Sequence, residues 1–267
     1  ASDRAAVAAE VARADFAGTA VGPRALKSAA ALLAAGLKLR GGRPLDVLLC
    51  ENQRRVAGIF AAFLNEALAP ASISDHPVGL VETSIGKMVP IMPADVRQRD
   101  PTVVWAEAYN AIIADAEAFI TGVPRIDGLE RKRNFRAYVD RKLFVHNLGH
   151  AACAYMGALD GSQTIWQAME LPGPKETAEG TMHESGRALL VRYKGEWTHA
   201  EMSAHINDLL KRFRNRALGD TVFRVGRDLP RKLAPDDRLI GALRLQAACG
   251  VEPFFTARAA AAALLFR

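Results

Sequence analysis

Between residues 4 and 68 the chain alternates helix-like and strand-like patterns, and that order leaves few folds open to it. Residues 4–13 (RAAVAAEVAR) carry Ala and Val at helical spacing. Residues 16–21 (FAGTAV) are a short apolar run closed by Gly22-Pro23. Residues 24–39 read as a second Ala/Leu helix, stopped by Gly41-Gly42 in the manner of a C-cap. Residues 45–50 (LDVLLC) are apolar enough for a strand buried on both faces, and 52–68 for a third helix. Helix, strand, helix, strand, helix is the signature of an α/β protein with parallel strands and right-handed crossovers. In such sheets ligands collect just past the carboxyl ends of strands. That position is held by Thr19, Ala20, Val21, Gly22 and Pro23 after the first strand, and by Glu51-Asn52 after the second.

Residues 78–110 turn strand-rich (VGLVETS, KMVPIMP, TVVWAEAY), with prolines suited to edges and turns. After a turn-rich stretch at 122–128 the pattern is mainly helical, over about 130–160, 162–170, 181–192, 199–217 and 235–266. A boundary near residue 125 separates an α/β layer (1–125) from a mainly helical domain (126–267). With 50% hydrophobic and 24% charged residues, the 267-residue chain is neither a disordered tail nor a fibrous repeat. The longest apolar run, residues 259–266, falls far short of the ~18 residues of a membrane span. The opening residues do not read as a secretory signal. Cys50, Cys153 and Cys249 are odd in number and widely spaced among apolar neighbours. They read as core residues in a reducing compartment, not as a disulfide framework or a zinc site. The expectation is a cytoplasmic monomer with no membrane partner.

The segment 141–150 (RKLFVHNLGH) gathers Lys142, His146, Asn147 and His150 on one helical pattern. On an α-helix five residues turn through about 500°, so Asn147 stands about 140° away from Lys142 and the two do not share a face. Asn147 and His150, three apart, do. Two readings remain: a polar cluster of amine, amide and imidazole, or a solvated helix face.

Residues 211–232 hold eight Lys/Arg (211, 212, 214, 216, 224, 227, 231 and 232) against two acids, Asp220 and Asp228. This difference of +6 equals the net charge of the whole chain. Such a run is a solvated face, a phosphate-binding pocket built on Arg forks, or a nucleic-acid surface. The last is disfavoured by the scarcity of aromatics, Phe213 and Phe223 alone, and by the lack of a recognised motif.

The spacing Lys-x4-Asn-x2-His resembles the catalytic signature of the long-chain, zinc-independent polyol (mannitol) dehydrogenases. The local text RKLFVHNLGHAACAYMG (141–157) is similar to their mannitol-1-phosphate 5-dehydrogenase branch. TAVGP (19–23), CEN (50–52), VETSIGKMVP (81–90) and DTVFRVGRDLPRKLAPDDRLIG (220–241) agree in order, so the resemblance covers almost the whole chain. It implies a partial Rossmann-like domain, the C-terminal part of a nucleotide-binding unit, at 1–125. A helical substrate-binding and catalytic domain follows at 126–267. The implied reaction passes hydride between a nicotinamide and a polyol or sugar phosphate, of the mannitol 1-phosphate/fructose 6-phosphate type. Lys142 is then the general base, Asn147 and Asn52 donate to the developing alkoxide, and His150 binds a substrate hydroxyl and orients Lys142. Thr19, Ala20, Val21, Gly22 and Pro23 pass under the nicotinamide. Arg224 and Lys232, with Arg227 and Arg231 of the same basic segment, hold the far end of the substrate. The cofactor is NAD, with NADP left open, and no metal is implied.

The chain departs from that family in three places. It contains no strand–GxGxxG–helix unit and no ribose-binding acid, features that seat a pyrophosphate on a helix N-terminus. The expectation is therefore an upstream segment that supplies them. Gly86-Lys87 stands where the family has an acid-base pair, and Arg-Asp-Leu-Pro (227–230) replaces Arg-Asp-Pro. The alternative function is a truncated homologue that binds a sugar phosphate without turnover.

Overall fold

The computed structural model describes residues 3–90, 92–122 and 125–267. The chain divides into two compact units, one of Ala1–Ile85 with Asn110–Phe135, the other of Gly86–Tyr109 with Arg136–Arg267. The segment 86–109, which the sequence pattern assigns to the α/β layer, packs with the second unit.

The first unit opens with α1 (Arg4–Arg13), started where the Asp3 carboxylate accepts the Ala6 N–H at 2.9 Å. There follow β1 (Phe16–Thr19), α2 (Leu26–Leu39), β2 (Leu45–Leu49), α3 (Val56–Leu68) and β3 (Val78–Ile85). β1, β2 and β3 are parallel neighbours, with Phe16 opposite Asp46 and Leu45 opposite Val78. The alternation of side chains along β2 divides the core. Leu45, Val47 and Leu49 pack with Leu26, Leu33 and Leu37 of α2 and Phe60 and Leu64 of α3. Leu48 faces the other way, toward Val81 and Ala114. Asp46 points there too, yet it is buried at 1% exposure. Its carboxylate accepts the N–H groups of Ile120 (2.9 Å) and Thr121 (3.0 Å), satisfying a loop that crosses this face. The chain approaches so closely there that a Cβ on Gly79 would collide with Asp46 Oδ1 and stand 2.7 Å from the Ala118 carbonyl.

The α/β class expected from the sequence holds, with two corrections to its strands. KMVPIMP and TVVWAEAY form no strand among the described residues (Ile91 lies outside them), and α4 (Ala94–Arg99) falls between them. Pro90, Pro93 and Pro101 cannot donate to a ladder. Instead the sheet is completed by β4 (Ile112–Asp115), antiparallel to β3, and β5 (Leu129–Lys132), parallel to β4. Neither was foreseen, since four-residue strands such as LERK carry too little pattern. The turn-rich 122–128 includes Val123 and Pro124, which lie outside the described residues.

The second unit is helical, as the sequence predicts. α5 (Phe135–Arg141) runs through a π-helical turn (Lys142–Asn147) into α6 (Leu148–Leu159). Short α7 (Ile165–Ala168) precedes α8 (Pro172–Arg192) and α9 (His199–Phe213). α8 starts earlier than the sequence pattern suggests, because Pro172 at its first position is pre-set for a helix. Then come α10 (Val222–Gly226), α11 (Leu229–Lys232), α12 (Ile240–Ala248) and α13 (Phe254–Leu264). The predicted single helix over 235–266 is broken by Gly250, at φ +70°, and Pro253. α6 is buried almost all round and packs on α8, α10 and α13. Among the described residues no helix is long and apolar enough to cross a membrane.

Gly79→Ala should destabilise the first unit by about 1–3 kcal/mol through overpacking against Asp46. A lower urea midpoint at unchanged slope checks this, and an unchanged midpoint contradicts it.

Candidate active site

The helix carrying RKLFVHNLGH is not a regular α-helix where it matters. Over Lys142–Asn147 its hydrogen bonds lengthen by one residue, and the Leu148 N–H reaches back to the Leu143 carbonyl. An i→i+5 turn brings residues five apart back to roughly one face, so Lys142 and Asn147 share a side of the helix. The 140° separation expected of an α-helix does not occur. His150 follows in the first turn of α6. α8 closes over this stretch: a Cβ on Gly149 would strike the buried side chain of Met182.

Burial pushes the Lys142 ammonium down to about 8, and the nearby Arg238 guanidinium adds to the effect. His146, buried at 6% exposure, is held well below its usual value by burial first and then by His150, Arg212, Lys142 and His205. It stays neutral at physiological pH. His150 stacks on Phe213, ring centres 4.9 Å apart and planes 15° apart, and its Nε2 lies 3.3 Å from Asp220 Oδ2. Arg224 Nε donates to the other oxygen of Asp220 at 2.6 Å. Asp220 is 7% exposed. Burial pushes its carboxyl up, but the hydrogen bonds from His150 and Arg224 outweigh that and hold it below the ordinary carboxylate range.

The basic run 211–232 is largely spent on internal partners. Arg212 forms a two-pronged pair with Glu107 (2.8 and 2.5 Å), donates to the Gly86 carbonyl and lies 4.5 Å over the Tyr109 ring. Glu107 in turn accepts the Met88 N–H at 2.6 Å, so this pair fastens the 86–109 segment to α9. Arg216 stacks on Trp166 at 4.4 Å. Arg231 pairs with Asp228 (2.6 Å) and Asp237 (3.4 Å). Lys232 is 4% exposed and donates to the Val225 and Arg227 carbonyls. Burial lowers its pKa to about 8, with Arg238 and Arg231 contributing. Of the four residues expected at the substrate's far end, Arg227 is exposed, Arg224 and Arg231 are ion-paired, and Lys232 faces inward.

In the first unit, Thr19 ends β1 and Ala20–Pro23 form the loop that follows. The Val21 and Gly22 N–H groups donate to the Glu51 carboxylate at 3.0 and 2.9 Å. Asn52 is the next residue, exposed in the loop between β2 and α3. Glu51 thus ties the loop after β1 to the loop after β2. The sequence pattern places Glu51 beside Asn52 at the strand end, but does not show its bond to the loop after β1. Asp220 and Phe213 are both named in the sequence reading, but neither is given a part beside His150. The spacing Asp220-x3-Arg224, an i,i+4 pair on a short helix, was the signal available for one of these. Among the described residues no three His, Cys, Asp or Glu side chains gather as metal ligands.

A mainly parallel α/β unit with a helical unit that carries a Lys/Asn/His turn defines a Rossmann-type two-domain architecture. The family models agree in detail. That for the mannitol dehydrogenase Rossmann domain matches residues 1–128, and that for the mannitol dehydrogenase C-terminal domain matches residues 134–267. The chain belongs to the mannitol dehydrogenase family. Its fold is similar to Pseudomonas fluorescens mannitol 2-dehydrogenase, solved as a ternary complex with NAD and D-mannitol (TM-score 0.74, 18% identity). It is also similar to a D-sorbitol dehydrogenase in substrate-free form (TM-score 0.81, 15% identity). Each match covers 99% of this chain but 62% and 63% of the other. A more distant likeness is to 2-dehydropantoate 2-reductase from Geobacter metallireducens GS-15 (TM-score 0.55, 12% identity), covering 94% of this chain and 77% of that one.

A buried lysine should cost stability while it is charged. The folded-state pKa of Lys142, about 8, lies below the ordinary lysine value of 10.5. Between these values the unfolded chain binds more protons, so stability rises with pH across that window. Lys142→Met should therefore raise stability at pH 7 by up to about 3 kcal/mol, less whatever solvent screens. The gain should shrink as pH climbs past 8 toward 10.5. Denaturant melts at pH 7, 9 and 10.5 check this, and a gain that does not vary with pH contradicts it.

Proposed function

We propose that this chain forms the substrate centre of a nicotinamide-dependent dehydrogenase that interconverts a polyol or sugar phosphate and the matching ketose. The observation that carries the reading is the π-turn, which brings Lys142 and Asn147 to one side of the helix just before His150. Oxidising a secondary alcohol requires removal of the hydroxyl proton and stabilisation of the oxygen left behind. A lysine whose pKa has fallen to about 8 has a useful fraction of free amine near neutrality, so Lys142 takes the proton. Asn147 donates amide hydrogens to the oxygen, and Asn52 is assigned the same task by family resemblance. His150 engages a neighbouring hydroxyl. Base and charge stabilisation both come from side chains, so the proposed mechanism is metal-independent.

The residues after β1 suit the nicotinamide end of a dinucleotide. Thr19 Oγ1 is buried with no hydrogen-bond partner. Apart from Gly22 and its chain neighbours, no atom lies within 4 Å of where a Cβ on Gly22 would stand, which leaves room for a flat ring over the loop. Thr19, Ala20, Val21, Gly22 and Pro23 would hold that end, with Glu51 fixing the Val21 and Gly22 backbone. When bound, the nicotinamide supplies or accepts the hydride. We assign NAD as this cofactor.

The test is turnover by the full gene product with mannitol, sorbitol and mannitol 1-phosphate, and with fructose and fructose 6-phosphate in reverse. Alcohol oxidation should rise about tenfold per pH unit below pH 8 and level off above it, following the free amine of Lys142. Lys142→Ala should lower kcat by roughly 10²–10⁴-fold. Full activity in that variant, or no turnover with any of these substrates, would sink the assignment.

A further inference from the structure

Asp220 is a buried acid in a loop, and its backbone is held as firmly as its side chain. The Ile165 N–H donates to its carbonyl at 2.9 Å, the Val222 N–H donates to the Gln163 carbonyl at 3.0 Å, and Thr164 bridges Thr221. These contacts staple residues 220–222 to the loop 163–165, which follows the helix bearing His150. The Asp220 carboxylate then uses both oxygens: Oδ2 toward His150 Nε2, Oδ1 toward the Arg224 guanidinium. Phe213 fixes the plane of the His150 ring from its face.

We propose that Asp220 is a positioning residue that, whenever the His150 ring carries a single proton, holds it in the Nε2–H tautomer and so presents Nδ1 as a hydrogen-bond acceptor. An ionised carboxylate has no hydrogen to give, so the nitrogen facing it must carry the proton. The other ring nitrogen is left with a lone pair. Any group meeting Nδ1 must bring a donor: a hydroxyl satisfies it, whereas a carbonyl oxygen does not. His150 thereby selects for a hydroxyl beside the reacting carbon and rejects a second carbonyl there. This selectivity rests on the dehydrogenase reading; the tautomer itself does not.

Asp220→Asn makes the claim testable. Arginine has only donors, so the new amide oxygen must face Arg224 and the amide NH₂ must face His150. Nε2 then becomes the acceptor and the proton moves to Nδ1. Nitrogen-15 NMR of histidine-labelled 267-residue chain, recorded above the imidazole titration range and assigned by the signal lost in His150→Gln, reads the tautomer directly. The unsubstituted protein should show Nε2–H at His150, Asp220→Asn should show mainly Nδ1–H, and Arg224→Leu should keep Nε2–H. An Nδ1–H or evenly mixed His150 in the unsubstituted protein overturns the proposal, and that measurement needs no variant to fold. So does an Asp220→Asn spectrum that does not change. In the turnover assay Asp220→Asn should lose on the order of 10²–10⁴ in kcat/KM, as an orienting carboxylate made into an amide does elsewhere. A reversed tautomer with unchanged kcat/KM overturns the positioning role. No turnover in the unsubstituted protein counts against the dehydrogenase reading instead, while the NMR result still decides the tautomer.

Discussion

One extra residue per turn, inserted between Lys142 and Asn147, sets the geometry of the second unit's site. The helix that carries it is constrained from all sides: Leu143, Phe144, Val145 and Leu148 are buried, and every residue of α6 from Ala151 to Gly157 is buried too. A helix buried all round must satisfy its packing first, because each core side chain contributes more than any single polar contact. An unbroken α-helix would keep that packing and set the amine and the amide on different faces. The π-turn changes the register by one residue between α5 and α6, so both helices keep their apolar contacts while Lys142 and Asn147 come into line. Gly149 then lets α8 approach immediately after the turn, where any side chain would meet Met182.

Charge in this unit follows the same logic of placement before reactivity. A formal excess of +6 in residues 211–232 suggests an electropositive surface, yet Arg212, Arg224 and Arg231 are drawn into ion pairs. Arg212 is the clearest case. Its partner Glu107 is 105 residues away in sequence, and both side chains are at most 10% exposed. Removing one member of such a pair leaves a buried, uncompensated charge, so the pair works as an all-or-none fastener of the 86–109 segment. Arg212 also helps to keep His146 uncharged. The residue is structural and electrostatic at once, and neither role is visible in a local count of Lys and Arg.

The sequence was most informative where one periodicity governed a whole element. Residues 4–13 and the buried strand at 45–49 fold as their patterns suggest, because Ala/Val spacing and an unbroken apolar run each fit one environment. It failed where length or a remote partner decided. β4 and β5 have four residues each, too few to show alternation. Residues 86–109 have strand-like composition, but their backbone is held by Glu107 and Arg212 and not by a ladder. The π-turn was missed for a related reason: a fixed 100° per residue assumes the hydrogen-bond pattern it is meant to predict. The motif Lys-x4-Asn-x2-His was thus recognisable by resemblance before it made geometric sense. Its five-residue spacing is awkward for an α-helix and natural for a π-turn.

The pairing of the basic run also bears on what sits at the far end of the proposed substrate. A phosphate dianion is best held by two or more arginine forks or ammonium groups that still have donors to spare. Arg224 shares its guanidinium with Asp220, Arg231 with Asp228 and Asp237, and Lys232 gives its hydrogens to two carbonyls. Arg227 and Arg231 are the exposed cations of the four. To bind phosphate, Arg224 and Lys232 would have to give up buried partners, at a cost of part of what the new contact contributes. The Arg231–Asp228 pair, by contrast, is exposed and held less strongly. A chain of hydroxyls makes no such demand. Paired Arg–Asp units offer both donors and acceptors, which is what a polyol needs and a dianion does not. A phosphate contact, were the proposed substrate to carry one, would rest first on Arg227 and Arg231, the two that face solvent.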